Sequence, residues 1–256
     1  MHYPPRIEVA DARRLPLEAE TVDMIITSPP YALGIEYPTG DVDPDDWPGF
    51  MRAWLSEAYR VARPGCRLAL NVPADVTKGG YRPTWPIACA EALAAGWQYR
   101  SHVRWMENHI SRSVARGSKD SPSAPHIITP GEVVGIFFKG DWRRPAPAGV
   151  VSDLEHSEWL AWTLGEWRIK GELQPWGGHP APFPLELPRR LIKLLSYPGD
   201  VVLDPFIGSG TTAAAAYQLG RRAVGFDVAA EYVDLARRRV AACTLPLFPP
   251  GRLAVA

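Results

Sequence analysis

Val201-Val202-Leu203-Asp204-Pro205-Phe206-Ile207-Gly208-Ser209-Gly210-Thr211-Thr212 is the stretch on which the fold of this chain turns. The apolar run ending in Asp204 predicts a short buried strand, and the alanine-rich Thr211–Leu219 predicts a helix. The glycines between them let the backbone bend sharply and approach a ligand closely, and the start of the helix offers free N–H groups. A second strand, Arg222–Phe226, follows and ends at Asp227, where a carboxylate can accept hydrogen bonds from ribose hydroxyls. Strand, glycine turn, helix, strand and acid together predict a nucleotide pocket. Gly208, Gly210 and Ala213 also satisfy the dinucleotide fingerprint, so an NAD-dependent oxidoreductase is an alternative at this point.

Position in the chain separates the two. Beyond Asp227 only one more helix, Tyr232–Ala242, and a short tail remain. A nucleotide-binding sheet that starts at Val201 must therefore take its other strands from the N-terminal side, and the sheet is predicted to be circularly permuted. That order is unusual for NAD enzymes. Upstream, Thr21–Thr27 reads as a buried strand that stops at Ser28-Pro29-Pro30-Tyr31, because proline cannot continue a central ladder. Trp47–Ala62 and Thr84–Ala95 have helical spacing, the second closed by Gly96. Cys66–Val72, Tyr99–Met106 and Val133–Lys139 read as strands, and Leu185–Ser196 as an amphipathic helix. Strands alternating with helices predict an α/β fold with a mostly parallel twisted sheet flanked by helices. The chain of 256 residues reads as one domain, 1–256. Only 141–178 breaks the rhythm: rich in tryptophan and proline, it reads as a small insert.

Composition narrows the function classes. With 46% hydrophobic and 22% charged residues the chain can bury a core and is not disordered. It has no apolar run of membrane-spanning length and no signal-peptide pattern, so the expectation is a cytoplasmic protein with no membrane partner. Cys66, Cys89 and Cys243 are too few and too scattered for a disulfide framework or a zinc cluster, and no metal is expected. The 28 basic and 28 acidic side chains cancel. Locally they do not: Glu8–Glu57 carries eleven acidic side chains and three basic, whereas Arg100–Arg144 carries eight basic and four acidic. A polyanion meets such patches, not the total, which leaves a nucleic acid open as partner. Arg104, Arg112, Arg116 and Lys119, in or beside the polar loop Asn108–Thr129, suit DNA phosphates.

The turn Ser28-Pro29-Pro30-Tyr31 is the second motif. Its prolines stiffen the backbone, so a hydroxyl, free carbonyls and an aromatic face converge at the carboxyl end of a sheet, where α/β folds bind ligands. Ser-Pro-Pro-Tyr near the N-terminus with Asp-Pro-Phe-x-Gly-Ser-Gly-Thr-Thr near the C-terminus resembles the permuted beta class of S-adenosylmethionine-dependent DNA amino-methyltransferases, which modify N4 of cytosine or N6 of adenine. The resemblance runs from Asp11 to about Arg239. It includes Ala62–Asn71, Gly117-Ser118-x-x-Ser121-Pro122-x-x-Pro125 and His179-Pro180-x-Pro182-Phe183-Pro184.

The resemblance implies a permuted Rossmann-like methyltransferase fold with S-adenosyl-L-methionine as cofactor. Asp204, Pro205, Phe206, Gly208, Ser209, Gly210 and Thr211 would line the cofactor, Asp227 would hold its ribose, and Asp11 would sit near its adenine. His179 and Phe183 would close over its methionine end. Ser28, Pro29, Pro30 and Tyr31 would be catalytic, with the Ser28 hydroxyl and Pro29 carbonyl accepting hydrogens of the target amine and Tyr31 stacking on the extruded base. The partner would be double-stranded DNA; similar enzymes often form homodimers, and many work beside a cognate restriction endonuclease. The 141–178 insert would be the target-recognition segment. Serine in the first position of the proline motif is typical of cytosine-N4 enzymes, whereas aspartate dominates among adenine-N6 enzymes. Some serine-bearing members modify adenine, so adenine-N6 stands as the alternative. An inactive cofactor-binding subunit is a further rival, opposed by the intact Ser28–Tyr31 motif, and an RNA methyltransferase shares the chemistry. One departure stands out: the family often has lysine two positions after the strand tryptophan, and here Glu107 follows Trp105-Met106.

Overall fold

The computed structural model describes residues 4–32, 42–76, 82–106, 118, 120–125, 127, 131–171 and 183–243. In chain order these form β1 (Arg6–Val9), β2 (Val22–Thr27), α1 (Trp47–Val61), β3 (Ala62–Pro73), α2 (Thr84–Ala94), β4 (Gln98–Met106), β5 (Glu132–Phe138), α3 (His156–Trp162), β6 (Glu166–Arg168), α4 (Glu186–Leu195), β7 (Val201–Asp204), α5 (Thr211–Gln218), β8 (Arg222–Asp227) and α6 (Ala230–Ala242). One sheet holds the strands in the order β1-β8-β7-β2-β3-β5-β4-β6. Neighbours are parallel except on either side of β5, which runs against both β3 and β4.

The permutation is visible in that order. The chain starts at one edge with β1, jumps to β2 in the middle and works outward to β6. It then returns to the middle as β7 and works back through β8 toward β1. Connections therefore leave in opposite directions from β2 and β7, which opens a crevice at their carboxyl ends.

Residue pattern explains the layers. In β2 nearly every side chain is buried, as expected for a central strand covered on both faces. Met24 and Ile26 join the core beneath α4, α5 and α6, while Val22 and Ile25 join the core beneath α1 and α2. Helix α1 buries Trp47, Met51, Trp54, Leu55, Ala58 and Val61, a stripe at three- and four-residue spacing.

The described part of the tryptophan-rich stretch, 141–171, is joined to the sheet. β6 pairs with β4 in register Trp105↔Trp167. The Trp105 indole donates to the Ile169 carbonyl at 3.0 Å and that of Trp167 to the Trp162 carbonyl at 3.1 Å. Trp142 lies between the guanidinium groups of Arg67 and Arg100, 5.1 and 5.2 Å from its ring centre. Trp159, 48% exposed, stands apart from this packing. Trp176 lies outside the described residues.

Candidate active site

The two motifs meet at the crevice. β2 and β7 pair in register Met24↔Val202 and Ile25↔Leu203. One step further, the Thr27 hydroxyl donates to Asp204 Oδ1 at 2.8 Å, and the Thr212 hydroxyl donates to Oδ2 at 2.7 Å. The Phe206 N–H adds a third bond at 3.1 Å. Asp204 thus ties the end of β2, the turn after β7 and the first turn of α5 together. Burial raises its carboxyl to about 6, against the three hydrogen bonds that favour the charged form.

Backbone geometry makes the glycine turn. Gly208 and Gly210 have φ of 47° and 83°. At Gly210 a Cβ would lie 2.8 Å from Cα of Ala236 on α6, so glycine is required for conformation and for helix packing at once. Pro205 is buried beneath the turn. Half-buried Phe206 packs edge-on against Trp54, ring centres 5.3 Å apart, and tilted against Phe50 at 5.8 Å. The hydroxyls of Ser209 and Thr211 accept from Arg239 Nη1 of α6 at 3.1 and 2.7 Å.

Asp227 ends β8 beside this turn. Its Oδ2 accepts from the Gly208 N–H at 3.1 Å and its Oδ1 from the Ala229 N–H at 3.0 Å. Burial pushes its carboxyl up, opposed by backbone N–H donors. Each oxygen keeps accepting capacity for a further donor. Asp11 follows β1, which pairs with β8 in register Val9↔Asp227, so the two acids share one edge of the crevice. The Arg13 guanidinium holds the Asp11 carboxyl below the usual carboxylate range. Phe183 lies just ahead of α4, partly buried against the core under α4–α6. His179 lies outside the described residues.

On the β2 side, the Ser28 and Tyr31 hydroxyls form a short hydrogen bond. The carbonyls of the two prolines differ: that of Pro30 accepts the Trp47 indole N–H at 2.8 Å, so it is engaged from within the fold. Tyr31 also reaches Glu132 Oε2 at 3.1 Å, and Asn71 Nδ2 reaches the same oxygen at 2.5 Å. Sequence reading did not single out Asn71, Glu132, Trp47 or Arg239 for the site. A polar Asn71 and a charged Glu132 at the ends of otherwise apolar strands were the available signal. Arg104 is exposed on β4, two residues from its carboxyl end; Arg112, Arg116 and Lys119 lie outside the described residues.

This donor set suits S-adenosyl-L-methionine. Two carboxylates stand at neighbouring strand ends, a helix N-terminus faces the turn, and aromatic rings tolerate a sulfonium cation. The DNA methylase family of N6/N4 methyltransferases matches residues 22–238. The chain belongs to that family. Among curated relatives of this DNA methylase, the type II methyltransferase M.BglI of Bacillus subtilis is 44% identical over 90% of this chain and 84% of its own. M.MjaVI of Methanocaldococcus jannaschii is 35% identical over 63% of this chain and 84% of its own. The solved structure of a DNA modification methylase of Thermus thermophilus, TTHA0409, with S-adenosyl-L-methionine superposes with a TM-score of 0.75 at 29% identity, covering 98% of this chain and 99% of that one. The PvuII cytosine-N4 methyltransferase shares the fold, with a TM-score of 0.70 at 20% identity over 93% of this chain and 87% of its own. The cofactor of this DNA methylase is S-adenosyl-L-methionine, and its substrate is DNA. Among the described residues no helix is long and apolar enough to cross a membrane.

Proposed function

We propose that this methylase transfers a methyl group to N4 of cytosine extruded from double-stranded DNA, as a type II modification enzyme of the cytoplasm. The observation that carries the reading is Ser28: a hydroxyl at the end of β2, one residue from the Thr27–Asp204 bond that joins it to the cofactor side. An exocyclic amine is a poor nucleophile because its lone pair is delocalised into the ring. Acceptors that hold its hydrogens draw the nitrogen toward tetrahedral geometry. Ser28 Oγ and the Pro29 carbonyl are those acceptors; the Pro30 carbonyl is held by Trp47 and serves the loop instead.

S-adenosyl-L-methionine supplies an electrophilic methyl on a sulfonium. Asp227 would bind its ribose and Asp11 its adenine edge, Asp204, Pro205, Phe206, Gly208, Ser209, Gly210 and Thr211 would shape the floor, and Phe183 and His179 would cover its methionine end. Extruding a base costs a few kcal/mol, and stacking on an aromatic ring returns about 1–3 kcal/mol. Tyr31 fills that role. Orientation supplies much of the acceleration. Arg104, with Arg112, Arg116 and Lys119, contacts phosphates, and 141–178 reads the target within a single catalytic domain.

Nucleoside mass spectrometry tests the base. After incubation of unmethylated DNA with enzyme and cofactor, N4-methylcytosine is expected. N6-methyladenine as the product would overturn the cytosine assignment.

A further inference from the structure

Glu132 opens β5 at the edge of the crevice, and the mechanism above assigns it nothing. Backbone fixes its place: it pairs with Pro73 of β3 on one side and Trp105 of β4 on the other. The preceding Gly131 has φ of 80°, and a Cβ there would lie 2.1 Å from the Trp105 carbonyl oxygen, so only glycine lets the strand begin so close to β4. From this anchor the carboxylate reaches across β3 toward the proline motif. The Tyr31 hydroxyl donates to Oε2 at 3.1 Å and Asn71 Nδ2 donates to it at 2.5 Å. Asn71 Nδ2 also lies 3.2 Å from the Tyr31 oxygen.

The direction of each hydrogen follows from one fact: an ionised carboxylate only accepts. Asn71 must turn its nitrogen, not its oxygen, toward Glu132. Tyr31 has a single hydrogen, and the charged Glu132 oxygen at 3.1 Å draws it in preference to the neutral Asn71 backbone carbonyl at 3.3 Å. The Tyr31 oxygen is then left as an acceptor, for Asn71 and for Ser28. The Ser28 hydrogen accordingly points at Tyr31; Asn71 Nδ2 lies 3.5 Å from Ser28 Oγ, and the oxygen's remaining lone pair is left for the crevice.

We infer that Glu132 is a positioning residue of the methyl transfer, which through Tyr31 sets the direction of this hydrogen-bond chain so that Ser28 Oγ meets the target amine as an acceptor. The inference rests on the reading of Ser28 given above. A glutamine at 132 donates as readily as it accepts. The chain can then reverse, the Ser28 hydrogen turns outward, and a donor faces a donor across the reacting site.

The test uses Glu132→Gln, Glu132→Asp and Tyr31→Phe in the full chain, with E132Q and Y31F also combined. Single-turnover methyl transfer to unmethylated plasmid DNA is measured beside the dissociation constants for cofactor and for the same DNA. E132Q is expected to slow transfer by about 100-fold, within the span of positioned proton-handling groups, while both dissociation constants hold steady. E132D, which keeps an acceptor-only terminus, recovers part of the rate. The combined variant is no slower than Y31F alone, because the chain is already severed at Tyr31. Wild-type rate in E132Q, multiplying effects in the combined variant, or a parallel loss of rate and both affinities each overturns the inference. If E132Q does not fold, Y31F carries the same expectation of slow transfer at steady affinity, and a wild-type rate in Y31F overturns it. Ser28→Ala separates the two levels: an active S28A sinks the reading of Ser28 itself, whereas an inactive S28A beside an unimpaired E132Q sinks only the role of Glu132.

Discussion

The Thr27 hydroxyl donates to Asp204 Oδ1 at 2.8 Å across a separation of 177 residues. The bond closes the gap between the strand that ends in the proline motif and the strand that ends in the glycine turn. Because Thr212 holds the other oxygen, Asp204 is a buried charge shared by both halves of the site.

That burial makes stability depend on pH in a specific direction. The Asp204 carboxyl sits at about 6 when folded, above its ordinary 3.8. Between these values the folded chain keeps a proton that the unfolded chain has shed. This group's contribution to stability is therefore greatest at low pH, falls as pH rises through that window, and is flat above it. Asp204→Asn lacks this component. Urea unfolding of both proteins at the two ends of the window should show the wild type losing ground to the variant by on the order of 2 kcal/mol as pH rises. A constant difference would refute the assignment.

Gly210→Ala places a methyl group against the backbone of Ala236 and forces a left-handed conformation on alanine. The expected loss is roughly 2–4 kcal/mol of folding stability, combining strain and overpacking. Thermal or urea unfolding checks it. Near wild-type stability would mean that α6 yields more easily than its packing indicates.

Asp227→Ala removes the acceptor of the Gly208 and Ala229 N–H groups along with the expected ribose partner. Hydrogen bonds to a charged group are worth about 1.5–3 kcal/mol, which corresponds to a cofactor affinity about 10–100-fold weaker. Isothermal calorimetry reads this directly, and unchanged affinity would remove Asp227 from the cofactor site.

Ser28→Ala and Tyr31→Ala should abolish methylation while leaving cofactor binding intact, since both lie on the β2 side of the crevice. Methyl incorporation and calorimetry on the same preparations separate the two effects. Full methylation by either variant would reject its proposed role.

Arg239→Ala leaves the Ser209 and Thr211 hydroxyls without the guanidinium they accept from. A loss of about 1–3 kcal/mol is expected from hydrogen bonds to a charged donor. The turn loosens with it, so cofactor affinity should fall together with the unfolding midpoint. A lower midpoint at unaltered affinity would confine Arg239 to the packing of α6.

Local chemistry was legible in the residues alone. Apolar runs, helical spacing and proline stops placed most strands and helices to within about two residues, as at Thr84–Ala94 and Val201–Asp204, whereas α3 and β6 lie in the stretch read only as an insert. The start of β3 differs: it begins at Ala62, directly after α1, where the apolar run suggested Cys66. There Ala62 pairs with Val22 and Arg67 with Met24, so Arg63–Cys66 bulge out of register, with Gly65 at a φ of 83°, as their turn-favouring residue types suggest. The permutation was also legible, because the glycine turn and its strands follow, rather than precede, the strands of the proline-motif half.

Spacing along the chain determined the elements, the glycine turn and the two motifs, since each depends on neighbours within a few positions. Strand order, the reversal of β5 and the company each polar side chain keeps were decided only in three dimensions. Glu132 meets Tyr31 across 101 positions and Asn71 across 61. No periodicity marks such a pairing: it arises because β3, β5 and β4 lie side by side, and their ends, not their sequences, bring a carboxylate to the tyrosine of the proline motif.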